Sequence, residues 1–534
     1  MPLKDGGLFA DTDMINPFTW IETHIPPWVF ITLVVHLVVL GSVAYMILLE
    51  RKVASWVQDR IGPNRTGLGF GIIPFLKDKK MAGLGQPLAD GLKFILKEDY
   101  QPKGVDYYLF TLAPVMMVIV IIVSIATIPW GGVRETTAAV DITNPLGVEN
   151  QPQEAYLAAK PGEALNAKAI DIAKKSMPNG DEVIGDPVIN TNVDETGVAH
   201  VTADVKYRYA FQISSLNIGV LFILAVLSLS VYGVVIGGWA SNNKYSFLGG
   251  LRATANMISY EIPLGLAVLC IVVIYGSLSL DDIVNKQAHY WLGFIPAWNV
   301  FTQPLAFLMF LICIHAEANR APFDMAEAEQ ELVGGYHTEY SSMRFALFFL
   351  AEYAGMVTTS AVCVALFFGG WHLPWIDKLP FAWAHALGGN VDTNHPEITT
   401  SLIAAIVRSF VFFGKVVAII FVFMWVRWSL PRFRFDQLMM LAWRALIPIS
   451  LAMLMMTAIV VYFVGGASGP DDYLKGTPAL VFFLANIGLL GMTMFVSTML
   501  PAAPDTNRKV RIPGSRFNTT ALPAGVVSSG NGHV

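Results

Sequence analysis

Charge is scarce in this sequence. Only 14% of its 534 residues are Asp, Glu, Lys or Arg, and 54% are hydrophobic, against about 25% charged in a soluble protein. That excludes an ordinary soluble domain and points to an integral membrane protein, in which length no longer counts domains. The net charge of -5 says little, because the charges are segregated along the chain. Cysteine is nearly absent too. Cys270, Cys313 and Cys363 lie inside apolar runs without CxxC spacing, so they build neither an iron–sulfur cluster nor a zinc site. His36 and His315 have no companions at metal-ligand spacing, and no metal site is expected. No dinucleotide fingerprint or haem motif occurs. The GLGFG at 67–71 follows no strand and is weak as a phosphate loop. The chain is therefore expected to carry no redox centre and no catalytic residue of its own, and nothing in it invites nucleic acid. Asp5, Asp11, Asp13 and Glu22 precede the first apolar run, where a signal peptide would need a basic region. The two matching halves of many transporters are also missing.

What is present is a series of long apolar runs. Spans are expected at 27–49, 106–130, 210–237, 256–279, 301–316, 344–369, 401–427, 438–465 and 477–500, each read against a hydrocarbon core of about 30 Å. The predicted fold class is an all-α polytopic membrane protein of about nine helices with a small α+β insertion. Residues 1–130 hold two spans and a loop, 51–104, with ten Lys or Arg between Arg51 and Lys103. Such a loop belongs in the cytoplasm, as do the turn with Arg427, Arg432 and Arg434 and the polar tail 501–534. An outside N-terminus and an inside C-terminus follow by parity. Within the first loop, PLADGLKFILKED (87–99) reads as an amphipathic helix beside the membrane. Residues 131–208 form the insertion, with a helix-like EALNAKAIDIAKK at 163–175 and strand-like alternation from Val201 to Tyr209. Residues 209–500 carry seven spans and one acidic loop, 317–343.

That loop, beginning EANRAPFDMAEAEQELVGGYHTEY, is the most informative stretch. Glu317, Asp324, Glu327, Glu329, Glu331 and Glu339 face only Arg320 as a full positive charge. Pro322, Phe323, Leu332 and Val333 are too apolar for solvent filler, and Glu327 and Glu331 would repel on one helical face. Carboxylates wedged between membrane helices are costly unless paired or protonated. Further charges lie in or against the spans. Glu50 and Arg51 close the first and are expected to pair. Glu261 opens the fourth, Glu352 lies two turns inside the sixth, and Lys415, well inside the seventh, needs an acidic partner that Glu352 or Glu261 would supply. Intramembrane charges of this kind are functional candidates.

The segments 50–67, 87–99, 258–265 (ISYEIPLG), 317–340, 351–355 (AEYAG) and 429–448 (SLPRFRFDQLMMLAWRALIP) resemble, in the same order, the family of H subunits of NADH–quinone oxidoreductase, respiratory complex I. The resemblance implies a bacterial inner-membrane subunit that completes a quinone channel and couples quinone reduction to proton translocation. It implies quinone, ubiquinone or menaquinone, as substrate, with flavin and iron–sulfur clusters on partner subunits. Those partners would be the quinone-site and terminal-cluster subunits of the hydrophilic arm and small membrane-arm subunits. By position, Glu50, Arg51, Arg60 and Asp90 would line the channel. Arg320, Asp324, Glu327, Glu329, Glu331 and Glu339 would form the acidic loop, and Glu317, Glu261 and Glu352, with Lys415 as counter-charge, would lead charge into the membrane. Arg427, Arg432 and Arg434 would face the cytoplasmic arm. The insertion and the tail depart from the family pattern. The membrane anchor of a related proton-pumping hydrogenase and an autonomous secondary transporter remain as alternatives.

Overall fold

The computed structural model describes residues 27–67, 81–141, 182–183, 188–193, 199–291, 295–325, 333–374, 398–399, 402–465 and 477–499. The helix-like run at 163–175, the acids Glu327, Glu329 and Glu331, and the tail 501–534 lie outside them. The chain divides into two units, Met1–Ile487 and Gly488–Val534. The second is described only as the end of its helix, through Met499.

Helix forms wherever the apolar runs were found, because a backbone without water must satisfy its own polar groups. The described elements are α1 (Pro27–Val57), α2 (Gln86–Leu96), α3 (Tyr107–Ala126), α4 (Gly219–Ser228), α5 (Ser230–Ala240), α6 (Lys244–Tyr275), α7 (Leu280–Lys286), α8 (Pro304–Glu317), α9 (Ser342–Phe367), α10 (Leu402–Ser429), α11 (Phe435–Met440), α12 (Ile447–Gly465) and α13 (Thr477–Met499). Among the described residues seven helices or joined helices are long and apolar enough to cross a membrane. The predicted run 27–49 falls in α1. The run 301–316 is the 14-residue α8, about 21 Å at 1.5 Å per residue and short of a full hydrocarbon core. Helix α6 begins at Lys244, well before the predicted 256, since KYSFLGGLRATAN is helical without being apolar.

Helix α1 shows how the bundle is built. Val35, Val39, Val43, Met46, Glu50 and Val53 are buried at spacings of three or four, one continuous helix face. Glu50 occupies an apolar position in that stripe. Helix α6 lies at the centre and packs on α5, α8 and α12. It passes so close to the turn after the acidic loop that a Cβ on Gly249 would sit 2.8 Å from Gly335 Cα. Only glycine at 249 permits that approach. Pro263 within α6 removes an amide from the helical ladder two residues after Glu261. Between α11 and α12 the helix makes one π-turn, Leu441–Leu446.

The alternating run of the insertion is a strand, β4 (Ala199–Ala210), antiparallel to β1 (Val133–Asp141) with Val133 opposite Ala210. The short β2 (Glu182–Val183) and β3 (Val188–Val193) pair along the other side of β4. A fifth strand, β5 (Ile398–Thr399), joins from far along the chain, parallel to β1 at Val133 and Arg134. The helical bundle thus contributes to the sheet.

Candidate functional site

Four separate elements bring charge to one place. From the stripe on α1, Glu50 Oε1 accepts from Arg427 Nη1 at 2.5 Å, and Oε2 accepts the hydroxyl proton of Tyr353. Arg320 Nη1 approaches the same Oε2 at 3.5 Å, while its Nε lies 3.0 Å from Glu352 Oε1. The Arg320 guanidinium also sits 4.1 Å above the Tyr353 ring, a favourable cation–π distance. Glu50 comes from α1, Arg320 from the acidic loop, Glu352 and Tyr353 from α9, and Arg427 from α10. Glu50 is 5% and Arg320 3% exposed, so each charge depends on its partners rather than on water. Burial pushes the Arg320 guanidinium down, but Glu352, Tyr353 and Glu50 outweigh it and hold the group charged, above its ordinary value.

Part of the loop is seated by apolar residues, although Val333, expected to be among them, is exposed and Leu332 lies outside the described residues. Phe323 and Met325 are buried. Phe323 packs edge-on against Tyr260 of α6, and its carbonyl accepts from Asn256 Nδ2 at 3.2 Å. The Phe433 amide donates to Pro322 O at 3.2 Å. Beside this seam Arg432 Nη2 meets Asp324 Oδ2 at 2.8 Å. Of the three arginines expected to face a cytoplasmic arm, Arg427 and Arg432 each pair with an acid, Arg427 half-buried, while Arg432 and Arg434 are exposed. Glu339, at the end of the loop, accepts from Asn243 Nδ2 at 2.6 Å.

The expected Glu50–Arg51 pair does not form. Neighbours on a helix point about 100° apart, so Glu50 enters the bundle while Arg51 stays outside. Arg51 Nη1 pairs instead with Asp90 Oδ2 at 3.1 Å. Asp90 Oδ1 accepts from Gln86 Nε2, and Gln86 Oε1 from Thr66 Oγ1, which ties α2 to the loop after α1. This helix keeps Leu88, Leu92, Ile95 and Leu96 exposed, consistent with the amphipathic reading of 87–99. The Arg60 side chain is exposed on that loop; its amide is tied to Ser55 O at 2.7 Å.

Below the cluster two cavities run between the helices. One of about 40 Å³ is lined by Glu352, Glu317, Asn319, Ser230 and Thr359 among others. A second of about 20 Å³ is lined by Glu317, Glu261 and Thr359 with apolar neighbours. The volumes suit about three waters and one water, given polar walls to hold them. Asn319, which lines the larger cavity, has no donor to its buried Oδ1. The two cavities share Glu317, so Glu352, Glu317 and Glu261 form a sequence from the cluster into the bundle. Glu352, Glu317 and Glu261 thus lie along the two cavities, with Arg320 against Glu352.

Lys415 is not part of that sequence. Its Nζ donates to Phe368 O and Gly370 O at 2.8 Å and to His372 O at 2.6 Å, and lies 4.6 Å from the Trp298 ring centre. The expected acidic partner is replaced by backbone carbonyls of the segment that follows α9, which converge on the Lys415 ammonium. Tyr353 is the site residue that sequence reasoning missed. Its only signal was adjacency to Glu352 on a helix already holding one buried charge.

The sequence pattern of the NADH dehydrogenase family matches residues 30–148 and 187–458. The internal gap, 149–186, is narrower than the 131–208 read as an insertion. Over 408 residues, 76% of this chain and 89% of the relative, the chain is 39% identical to an NADH-quinone oxidoreductase H subunit of Cytophaga hutchinsonii. It is 40% identical over 424 residues to the NADH-quinone oxidoreductase H subunit of Leptospira biflexa, covering 79% and 91% of the two chains. Against an NADH-quinone oxidoreductase H subunit of Geobacter sulfurreducens it is 39% identical over 430 residues, 80% and 93% of the two.

Proposed function

The chain belongs to the family of NADH-quinone oxidoreductase H subunits, and from that premise we propose that it forms the quinone channel and couples quinone reduction to proton translocation. It is a membrane subunit of an oxidoreductase complex, with other subunits of that complex as partners. In the proposed reading, flavin and iron–sulfur clusters on the hydrophilic arm carry the electrons, and this chain supplies the channel and the response to charge. Glu50, Arg51, Arg60 and Asp90 stand on the channel side with Arg320, Asp324, Arg427, Arg432 and Arg434. The acidic loop, including Glu327, Glu329, Glu331 and Glu339, lies beneath the site of reduction.

The observation that carries this reading is the pair of cavities meeting at Glu317. Quinone reduction consumes protons and changes charge above the cluster. Glu352 faces Arg320 at one end of the cavities, and no basic side chain pairs with Glu317 or Glu261 among the described residues. Carboxylates so arranged titrate as a coupled set, and water in the cavities would connect them. A change of charge at Arg320 and Glu352 therefore shifts proton occupancy at Glu317 and Glu261.

Glu317→Gln and Glu261→Gln test this, since each keeps shape and removes titration. In assembled complex, NADH oxidation with artificial acceptors should persist while quinone-linked turnover and pumping fall by about tenfold, about 1.4 kcal/mol of barrier. Pumping at the wild-type rate in both variants refutes the relay. The proposed orientation places the N-terminus and insertion in the periplasm and the C-terminus in the cytoplasm. A cysteine at Asn150 should then label from outside and one at Ser515 only after permeabilisation. The three native cysteines are buried, which keeps the background low.

A further inference from the structure

A buried polar pair, one member of it a carboxyl, lies at the far end of α6 from the Glu50–Arg320 cluster, on the seven-residue α7. Asp281 Oδ1 and Asn285 Oδ1 are both sealed from solvent and both lack a hydrogen-bond partner. They stand four residues apart, on neighbouring turns of one helix face. Two buried acceptors without donors are costly.

The surroundings hold this pair in place. Leu280, Ile283 and Val284 are buried, and a Cβ on Gly370, just past α9, would meet Val284 Cγ1 at 2.7 Å. Gln287 Nε2 reaches Ala365 O of α9 at 3.0 Å, and Val220 N reaches Leu278 O at 3.0 Å. Asp281 also takes a side-chain hydrogen bond from Gln212, which is 3% exposed and stands two residues beyond β4. The pair therefore joins α7 to the base of the sheet.

Charges around it are few. Asp282 follows on the same helix, bonded through Oδ2 to Ser277 Oγ at 2.8 Å, and Lys286 directs its Nζ to Tyr275 O at 3.1 Å. His289 follows α7. The 211–218 linker carries no charged residue, and the half of α9 packed here, 354–367, has only Cys363 as a titratable group. Burial pushes the Asp281 carboxyl up to about 7, Asp282 adds to the rise, and the Gln212 hydrogen bond opposes it.

We propose that Asp281 and Asn285 form a proton-binding clasp, in which a proton on Asp281 Oδ1 is donated to Asn285 Oδ1 and fastens α7 to the sheet base. The other carboxylate oxygen continues to accept from Gln212. One proton satisfies both orphaned oxygens, and its loss opens the clasp without breaking any covalent bond. The folded chain holds this proton more tightly than the unfolded chain. The clasp's stabilisation is therefore whole below the ordinary carboxylate range, is lost as pH rises from there to about 7, and is flat above. Under the orientation proposed above, on which only this last point rests, the clasp closes as the proton-receiving side acidifies.

Hydrogen exchange of the 276–290 backbone in assembled complex tests the clasp independently of turnover and orientation. After correction for intrinsic rates, protection should fall about tenfold between about pH 6 and about pH 8. Asp281→Asn supplies a permanent N–H to Asn285 Oδ1 and should remain protected at both values. Asn285→Ala removes the acceptor and should already exchange fast at the lower one. Equal protection at both values in the native protein, or a surviving pH step in Asp281→Asn, overturns the proposal. So does calcium or sodium restoring protection at the higher pH, because the occupant would then be a cation.

Discussion

The bundle buries two cations in opposite ways. Arg320 lies between two carboxylates, Glu50 and Glu352, and over the Tyr353 ring. Lys415 lies among three carbonyls, which have no proton to exchange. A charge held by carboxylates feels every change in their protonation, because the Coulomb term is large where water is excluded. A charge held by backbone carbonyls has no partner whose protonation can change. The first arrangement suits a site that must respond to chemistry outside the chain. The second suits a lock, and it fastens the far end of the helix that carries Glu352 and Tyr353. Position within a membrane span therefore does not identify a functional charge; the chemistry of its partners does.

The largest effect should come from breaking the responsive cage. Arg320→Met leaves Glu50 and Glu352 buried without their shared cation, a loss of about 3–5 kcal/mol. Assembled complex should fall sharply in native gels, and quinone-linked turnover in what remains should be lost. Lys415→Met comes next. It strips a charged donor from three carbonyls at a cost of about 3 kcal/mol, lowering the melting temperature of the complex. Turnover per assembled complex and its pH profile should stay near wild type, and a changed pH profile would erase the distinction between the cages. Tyr353→Phe removes one donor from Glu50, about 1–2 kcal/mol. Because it touches a titratable group, its pH–rate profile should move although its stability suffers less than that of Lys415→Met. Arg51→Met gives the smallest effect. Its pair with Asp90 is half exposed, worth under about 1 kcal/mol, and thermal melts should scarcely register it.

How much of this was legible depended on the range of the interaction that decides each feature. Apolar runs and the alternation in 199–210 are local patterns, and helices and strand appear there. The acids of the site were legible because carboxylates are rare in such a sequence. Their partners were not. Glu50 was assigned to its sequence neighbour Arg51, although its place in the Val35–Val53 stripe already pointed it inward. Lys415 is expected to meet an acid because side chains are the acceptors a sequence displays, and the carbonyls of the 368–372 segment converge only in the folded chain. Tyr353 needed Glu50 and Arg320 to converge, the first from roughly 300 positions away. The pairing of β5 with β1 needed the whole bundle to bring 398 beside 133.

That pairing gives α10 the mechanics of a tie rod. Thr399, three residues before the helix, is held against Arg134 in the sheet, and Arg427, two residues before its other end, is held by Glu50. The rod between is 28 residues, about 42 Å at 1.5 Å per residue. A hydrogen-bonded helix neither stretches nor shortens appreciably, so α10 sets a fixed length between Leu402 and Arg427. Lys415 bolts the middle of the rod to the segment that follows α9, so the helix is anchored off its axis at mid-length as well as at Arg427 and resists rotation as it resists stretching.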